Sequence, residues 1–234
     1  MYKTSKVVFS PRVRKSPYFN STIKYGVQAF SVYNHMYMPI SYEGTIEDYN
    51  NLLKGVQLWD VGVERQVQIK GPDAEALSQF LTPRNIKKCS IGQAMYAPFL
   101  DFKGGFINDP VMLKIDEDCY WFSLADGDAL LWAQGIAAGY RFDVDIHEPD
   151  VSPLQVQGPN SKELMVKVFG NWINDLGFYR FKEVNHEGIP MVIARMGYSR
   201  ELCYEIFLQD QSKGDELWEI LWQAGKDLNI SAGT

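Results

Sequence analysis

An α+β fold is predicted by three features of the sequence. Strand and helix signals alternate irregularly along the chain, and a glycine-bearing hairpin pattern runs through GQAMYAPFLDFKGGFINDP at 92–110. A strand, Gly-Pro, Asx, helix pattern also occurs twice, from Gly71 to Gly158, an offset of 87 residues.

The first of these units is VQIKGPD at 67–73. It alternates like a half-buried strand and ends at Asp73, a helix-capping residue type, ahead of AEALSQFL with apolar residues at helical spacing. Residues 120–124 (YWFSL) read as a strand. Residues 126–140 read as a helix carrying Leu130, Leu131, Trp132, Ile136 and Ala137, and 144–146 as a further short strand. The second unit, LQVQGPN at 154–160, leads into the helical SKELMVKVF. Residues 191–195 and 204–208 read as strands around GYSRE at 197–201. Residues 216–228 read as an amphipathic helix with Leu217, Trp218, Leu221 and Trp222 inward, and no closing element is expected before Thr234. The two β-α units are too few for a repeat array and are expected within one domain, 1–234.

In the hairpin, apolar runs at 94–100 and 106–111 flank DFKGG at 101–105, whose glycines supply the positive φ that a tight loop needs. Pro110 biases Asp109 toward an extended backbone and removes one ladder donor. Asp109 thus stands at the end of a strand either as a turn-maker, bonding its own backbone, or as a working carboxylate. Spacing alone favours the turn.

Composition narrows the function classes. Hydrophobic residues make up 46% and aromatic ones 14%, ample for a core, and the net charge of −6 argues against nonspecific nucleic-acid binding, which a basic stripe drives. Residues 1–42 hold Lys3, Lys6, Arg12, Arg14, Lys15 and Lys24 and no acid, leaving 17 positive against 29 negative charges beyond them. That start reads as a solvated basic arm, because Pro11 and Pro17 interrupt the amphipathic helix of a transit peptide. No stretch is apolar for the roughly 18 residues of a membrane span and no signal-peptide core is present, so a cytoplasmic protein without membrane partners is expected. Cys89, Cys119 and Cys203 are scattered, as are His35, His147 and His186. Neither a disulfide framework, a metal site nor a nucleophile triad is indicated.

Four ordered stretches carry a resemblance: LWDVGVERQVQIKGPDA (58–74), GQAMYAPFLDFKGGFINDPV (92–111), LQVQGPNSKEL (154–164) and GYSRELCYEI (197–206). Together they resemble the folate-binding aminomethyltransferase family typified by the glycine cleavage T-protein. SPRVRKSP (10–17), VYNHM (32–36), LTPRNI (81–86), FINDPV and ADGDALLWAQGIA (125–137) look more like its dimethylsulfoniopropionate (DMSP) demethylase branch. The resemblance implies subdomains around a central channel that holds tetrahydrofolate, with the pterin buried. It also implies a chain lacking the family's final folate-domain segment and C-terminal β-barrel. Two departures stand out. Asn108-Asp109 replaces a pair of acids, and GYSRE places Arg200 where relatives have glycine while keeping Glu201.

The implied activity is removal of one methyl from DMSP, giving 3-(methylthio)propanoate and 5-methyltetrahydrofolate. The alternatives are a glycine cleavage-type aminomethyltransferase and a non-catalytic folate-binding module. By the resemblance Asp109 is the catalytic group. Glu201 would accept from the adjacent pterin donors as a carboxylate does from a guanidinium, with Tyr96 and Tyr198 beside the folate. A sulfonium seeks aromatic faces, and Tyr18, Trp172 and Tyr204 are the substrate-binding candidates, although with 32 aromatics any one is more often core. Arg65, Arg84 and the basic arm are open candidates for the substrate carboxylate. The partners expected are the small-molecule sulfonium and folate, with a homodimer admitted and no metal.

Overall fold

The computed structural model describes residues 10–234, so Lys3 and Lys6 of the basic arm lie outside the described residues. From residue 66 onward the chain runs twice through one order of elements. The first pass is strand Gln66–Lys70, helix Ala74–Leu81, strands Gln93–Tyr96, Val111–Asp116 and Cys119–Ser123, helix Ala129–Tyr140 and strand Asp145–His147. The second is strand Ser152–Gln157, helix Ser161–Phe169, strands Phe181–His186, Ile189–Ala194 and Cys203–Leu208, helix Gly214–Ala224 and strand Ile230–Gly233.

The sheets repeat the order too. In the first, Asp145–His147, Gln66–Lys70, Cys119–Ser123, Val111–Asp116 and Gln93–Tyr96 lie side by side, all antiparallel. In the second, the corresponding strands keep that sequence except that Val56–Asp60 is inserted between Ile230–Gly233 and Ser152–Gln157. The predicted offset of 87 residues between Gly71 and Gly158 is therefore the period of a doubled unit. Both glycines leave a strand at positive φ, +135° and +114°, against a neighbouring carbonyl. A Cβ would sit 2.9 Å from the Asp143 oxygen at the first and 2.6 Å from the Gly55 oxygen at the second.

Side-chain alternation stacks the two sheets. Val67, Ile69, Met112, Tyr120 and Phe122 face the helices Ala74–Leu81 and Ala129–Tyr140. Leu154, Val156, Met191, Ile193, Ile206 and Leu208 face Ser161–Phe169 and Gly214–Ala224. The opposite faces, with Leu113 and Trp121 from one sheet and Val192 and Phe207 from the other, close a third apolar cluster between the sheets. The result is helices, sheet, sheet, helices. At one edge the sheets are laced together where Ala94 N–H donates to Tyr179 O (2.9 Å) and Phe181 N–H to Gly92 O (2.9 Å).

Several local expectations need correction. Asp73 and Asn160 precede their helices but cap neither. Asp73 accepts from the Asp143 N–H (2.8 Å) and Asn160 donates to Leu228 O (3.0 Å), so tertiary bonds outcompete the caps. The chain does have a closing element, since Ile230–Gly233 joins Val56–Asp60 in parallel. The hairpin is not one ladder. Phe99–Leu100 pairs with Phe106–Asn108 across the 101–105 loop, whereas Gln93–Tyr96 pairs with Val111–Asp116. The breaks fall at residues 97–98 and 109–110, where Pro98 and Pro110 have no N–H to give. Before the doubled unit come helix Phe19–Lys24, hairpin Ala29–Tyr33 with Met36–Ser41, and helix Thr45–Lys54. Among the described residues no sheet closes into a barrel and no helix is long and apolar enough to cross a membrane. Cys89, Cys119 and Cys203 are buried free thiols.

Candidate functional site

The seam between the sheets opens into a cavity of about 680 Å³, within the size range of small-molecule sites. Glu64, Asp109 and Glu205 line it together with Tyr33, Tyr96, Tyr179 and Tyr198, and among the described residues no Lys, Arg or His is on its wall.

Strand geometry puts Glu205 there. In Cys203–Leu208, central in its sheet, Tyr204, Ile206 and Leu208 turn to the helices while Glu205 and Phe207 turn to the seam. Glu205 is 5% exposed and lies directly opposite Gln155, whose Nε2 donates to its Oε1 (2.9 Å). Burial pushes its carboxyl up to about 7, with the Gln155 bond opposing. Gln155 in turn accepts from Gln157 Nε2, and Gln157 accepts from the Ser199 hydroxyl, so a row of donors runs from the 197–201 loop to Glu205. Glu64 occupies the turn that carries the chain from one sheet to the other, its N–H bonded to Val61 O (2.8 Å). Burial first, then the charge of Glu205, raises its carboxyl well above the usual range, with the Ser123 hydroxyl opposing.

Asp109 sits in the break between Phe106–Asn108 and Val111–Asp116, at the exposed mouth of the cavity. Its neighbour explains the first departure from the family. Asn108 is 4% exposed, donates to Ala125 O (2.9 Å) and Asp126 O (3.3 Å), and accepts from Ala125 N–H (3.0 Å). A carboxylate has no proton for the two carbonyls. Asn34 grips the same loop, donating to Ala125 O (2.9 Å) and accepting from Gly127 N–H (2.9 Å). Arg200, where the resemblance leads one to expect glycine, has φ +67°, the left-handed conformation that favours glycine.

Of the residues singled out in the sequence, the cavity gathers Asp109, Tyr96 and Tyr198. It does not gather the others. Tyr18 is fully buried in the helix-side core, with its hydroxyl on Ser152 O (2.8 Å), and Tyr204 turns to that same core. Trp172 donates to Phe169 O (2.8 Å), and its ring already carries a cation, Lys182 Nζ at 4.9 Å. Glu201 is off the cavity wall, in the loop where its N–H meets Ser199 Oγ (3.2 Å), and the carboxylate that reaches the cavity from this segment is Glu205. Arg65 is spent on Glu148 (3.1 Å), and neither it nor Arg84 lines the wall. Glu64 and Glu205 went unremarked in the sequence. The signal for Glu205 was a lone carboxylate inside the otherwise apolar run CYEIFL.

With this doubled fold and acid-lined seam, the chain belongs to the family described as the GCVT N-terminal domain, which matches residues 18–234. It is 44% identical over 224 residues to the dimethylsulfoniopropionate demethylase DmdA of Ruegeria pomeroyi, covering 96% of this chain and 62% of that protein. It is 28% identical to an aminomethyltransferase of Halothermothrix orenii, covering 93% and 61%. In fold it is similar to the glycine cleavage system aminomethyltransferase T of Bartonella henselae, with TM-score 0.81 at 21% identity, covering 94% of this chain and 59% of that one. The chain thus spans about three-fifths of the length of these relatives.

Proposed function

We propose that the chain carries the methyl-transfer site of a tetrahydrofolate-dependent demethylase whose donor is a sulfonium, DMSP. The observation that supports this most is the cavity wall itself, which among the described residues carries three carboxyls, four tyrosines and no basic side chain. Such a wall favours a small cation, through charge and through ring faces worth about 0.5 to 2 kcal/mol each. The 44% identity to a DMSP demethylase points the same way.

Glu205 is suited to the pterin. One of its oxygens holds Gln155, no cation among the described residues neutralises it, and a buried carboxylate in that state gains from a ligand edge that presents two N–H groups together. This moves the role first expected of Glu201 four residues along the chain. In-line transfer of the methyl carbon from sulfur to folate N5 would leave a neutral thioether and release the N5 proton. A sulfonium needs no general acid, so the chain's contribution is alignment, an effect worth several kcal/mol. Asp109, at the mouth, draws the cation inward and is placed to pass the released proton to water. Tyr96 and Tyr198 flank the opening and shield the reacting atoms. Tyr18, Trp172 and Tyr204 have no direct role in this reading.

The test is anaerobic incubation of the purified protein with tetrahydrofolate and DMSP, following 5-methyltetrahydrofolate and 3-(methylthio)propanoate by mass spectrometry. Both products in equal amounts are expected. Methylenetetrahydrofolate and ammonia from an aminomethylated lipoyl carrier, with no demethylation, would instead support the aminomethyltransferase reading.

A further inference from the structure

Two carboxyls facing one cavity, Glu205 buried and Glu64 half-buried, with no cation between them among the described residues, raise the question of which keeps a proton. Like charges in such a setting ionise in two separated steps that belong to the pair. The surroundings of the two differ. Glu205 receives the Gln155 amide N–H, itself backed by Gln157. On Glu64's side, Ser123 Oγ is occupied as an acceptor by Gln66 Nε2 (2.9 Å) and has a single proton to give. Among the described residues no positive side chain shares the wall with the pair; Arg84 and Arg195 act on Tyr179 and Cys203 from off the wall, Arg195 donating to Leu176 O (3.2 Å). Asp109 stands at the mouth, the hydroxyls of Tyr33 and Tyr179 are pushed up by burial, and Cys203 shares the strand of Glu205. Asp126, behind Tyr33, accepts from Asn34 N–H (2.8 Å). Arg65, adjacent to Glu64 in the chain, points to Glu148 and the Asn34 carbonyl.

We infer that Glu64 works as a neutral, protonated carboxylic acid beside an ionised Glu205, so that the cavity offers one hydrogen-bond donor and one acceptor to a ligand edge carrying adjacent C=O and N–H groups. This rests on the folate reading, since the lactam edge of a pterin is such an edge. Glu64 is then a binding residue that supplies a proton to the ligand's carbonyl and keeps the pair at a single negative charge. A second ionisation would remove the donor and set a carboxylate against that carbonyl.

The consequence is a bell-shaped dependence of tetrahydrofolate affinity on pH, rising as Glu205 ionises and falling as Glu64 does. Anaerobic titration calorimetry with tetrahydrofolate, from about pH 6 to about pH 9.5, reads it, each limb approaching tenfold per pH unit. Glu64→Gln keeps a neutral donor at all pH and is expected to abolish the alkaline fall, whereas Glu64→Ala is expected to weaken binding tenfold or more near neutrality. A wild-type profile flat on the alkaline side, or an alkaline fall that persists unmoved in Glu64→Gln, overturns the inference. Carbon-13 NMR of the wild-type protein labelled at glutamate Cδ provides a second reading independent of the variants. One carboxyl carbon still protonated near pH 8, distinct from that of the ionised Glu205, is expected, and its absence overturns the assignment. Absence of tetrahydrofolate binding from all three proteins would remove the folate reading, while the NMR result would still decide the protonation of Glu64.

Discussion

Replacing Glu205 by Gln should move stability and ligand affinity in opposite directions. Folding carries this carboxyl from an ordinary 4.5 up to about 7, because burial disfavours its charge. A group whose folded value is raised contributes most stability below its unfolded value and loses it as pH climbs through the folded one. At about 1.4 kcal/mol per unit, the native state at pH 8 bears about 3 kcal/mol for holding the anion. The amide removes that charge but weakens the bond from Gln155 by about 1 kcal/mol, leaving the variant about 2 kcal/mol more stable at pH 8. In a chain this size that is about 4 to 8 °C in melting temperature, shrinking toward zero near pH 4. Tetrahydrofolate should nonetheless bind about 30- to 1000-fold more weakly, since two charge-assisted bonds give way to one neutral acceptor and an opposed N–H. Thermal unfolding at both pH values and calorimetric titration at pH 8 measure the two effects. A Glu205→Gln protein less stable than wild type at pH 8, or one that binds tetrahydrofolate undiminished, would refute the reasoning.

Three further perturbations follow from the same structure. Asp109→Asn should leave the melting temperature within about 2 °C, because the side chain is exposed, while lowering the demethylation rate at least tenfold with little change in tetrahydrofolate affinity; equal turnover in single-mixing assays would remove Asp109 from the site. Asn108→Asp should cost about 2 to 3 kcal/mol in urea unfolding, as the carbonyls of Ala125 and Asp126 lose their donor; an unshifted midpoint would show that the amide's grip on the loop is unimportant. Asp60, 3% exposed and bonded to the Ser16 hydroxyl and Gly62 N–H, is raised by burial from 3.8 to about 6. Its contribution to stability should therefore fall by about 2 kcal/mol between pH 4 and pH 6. Asp60→Asn should flatten that part of the profile, and identical profiles for the two proteins would count against a buried charge there.

Much of the fold was legible because each half-buried strand writes its faces in alternation and the first strand-to-helix turn of each pass needs a glycine. VQIKGPD and LQVQGPN gave both the elements and their relationship. The N-terminal hairpin was not read, although Asn34 and His35, at φ 48° and 62°, form the left-handed pair that joins its strands. Ile230–Gly233 escaped because a four-residue edge strand, ISAG, carries too little periodicity and is specified by its partner Val56–Asp60. At the site, Asp109 was singled out by the resemblance, because its spacing before Pro110 reads locally as a turn. Tyr204 was misdirected by one residue of register, which in a strand reverses the face. Tyr18 and Trp172 fail for another reason: a ring in the sequence carries no sign of whether its neighbours will be ligand or core. Glu64, in an irregular turn, acquires its surroundings only when strands from both sheets converge on it.

The two passes of the doubled unit each keep a core of their own, beneath their own helices, and share only the thinner apolar seam and one laced edge. Glu205 belongs to one pass and Tyr96 and Asp109 to the other. A molecule seated between them acts as a rivet through two plates. Its grip resists sliding of one plate over the other, so occupancy of the cavity and the relative setting of the halves become one mechanical variable, tuned wherever the seam is made tighter or looser.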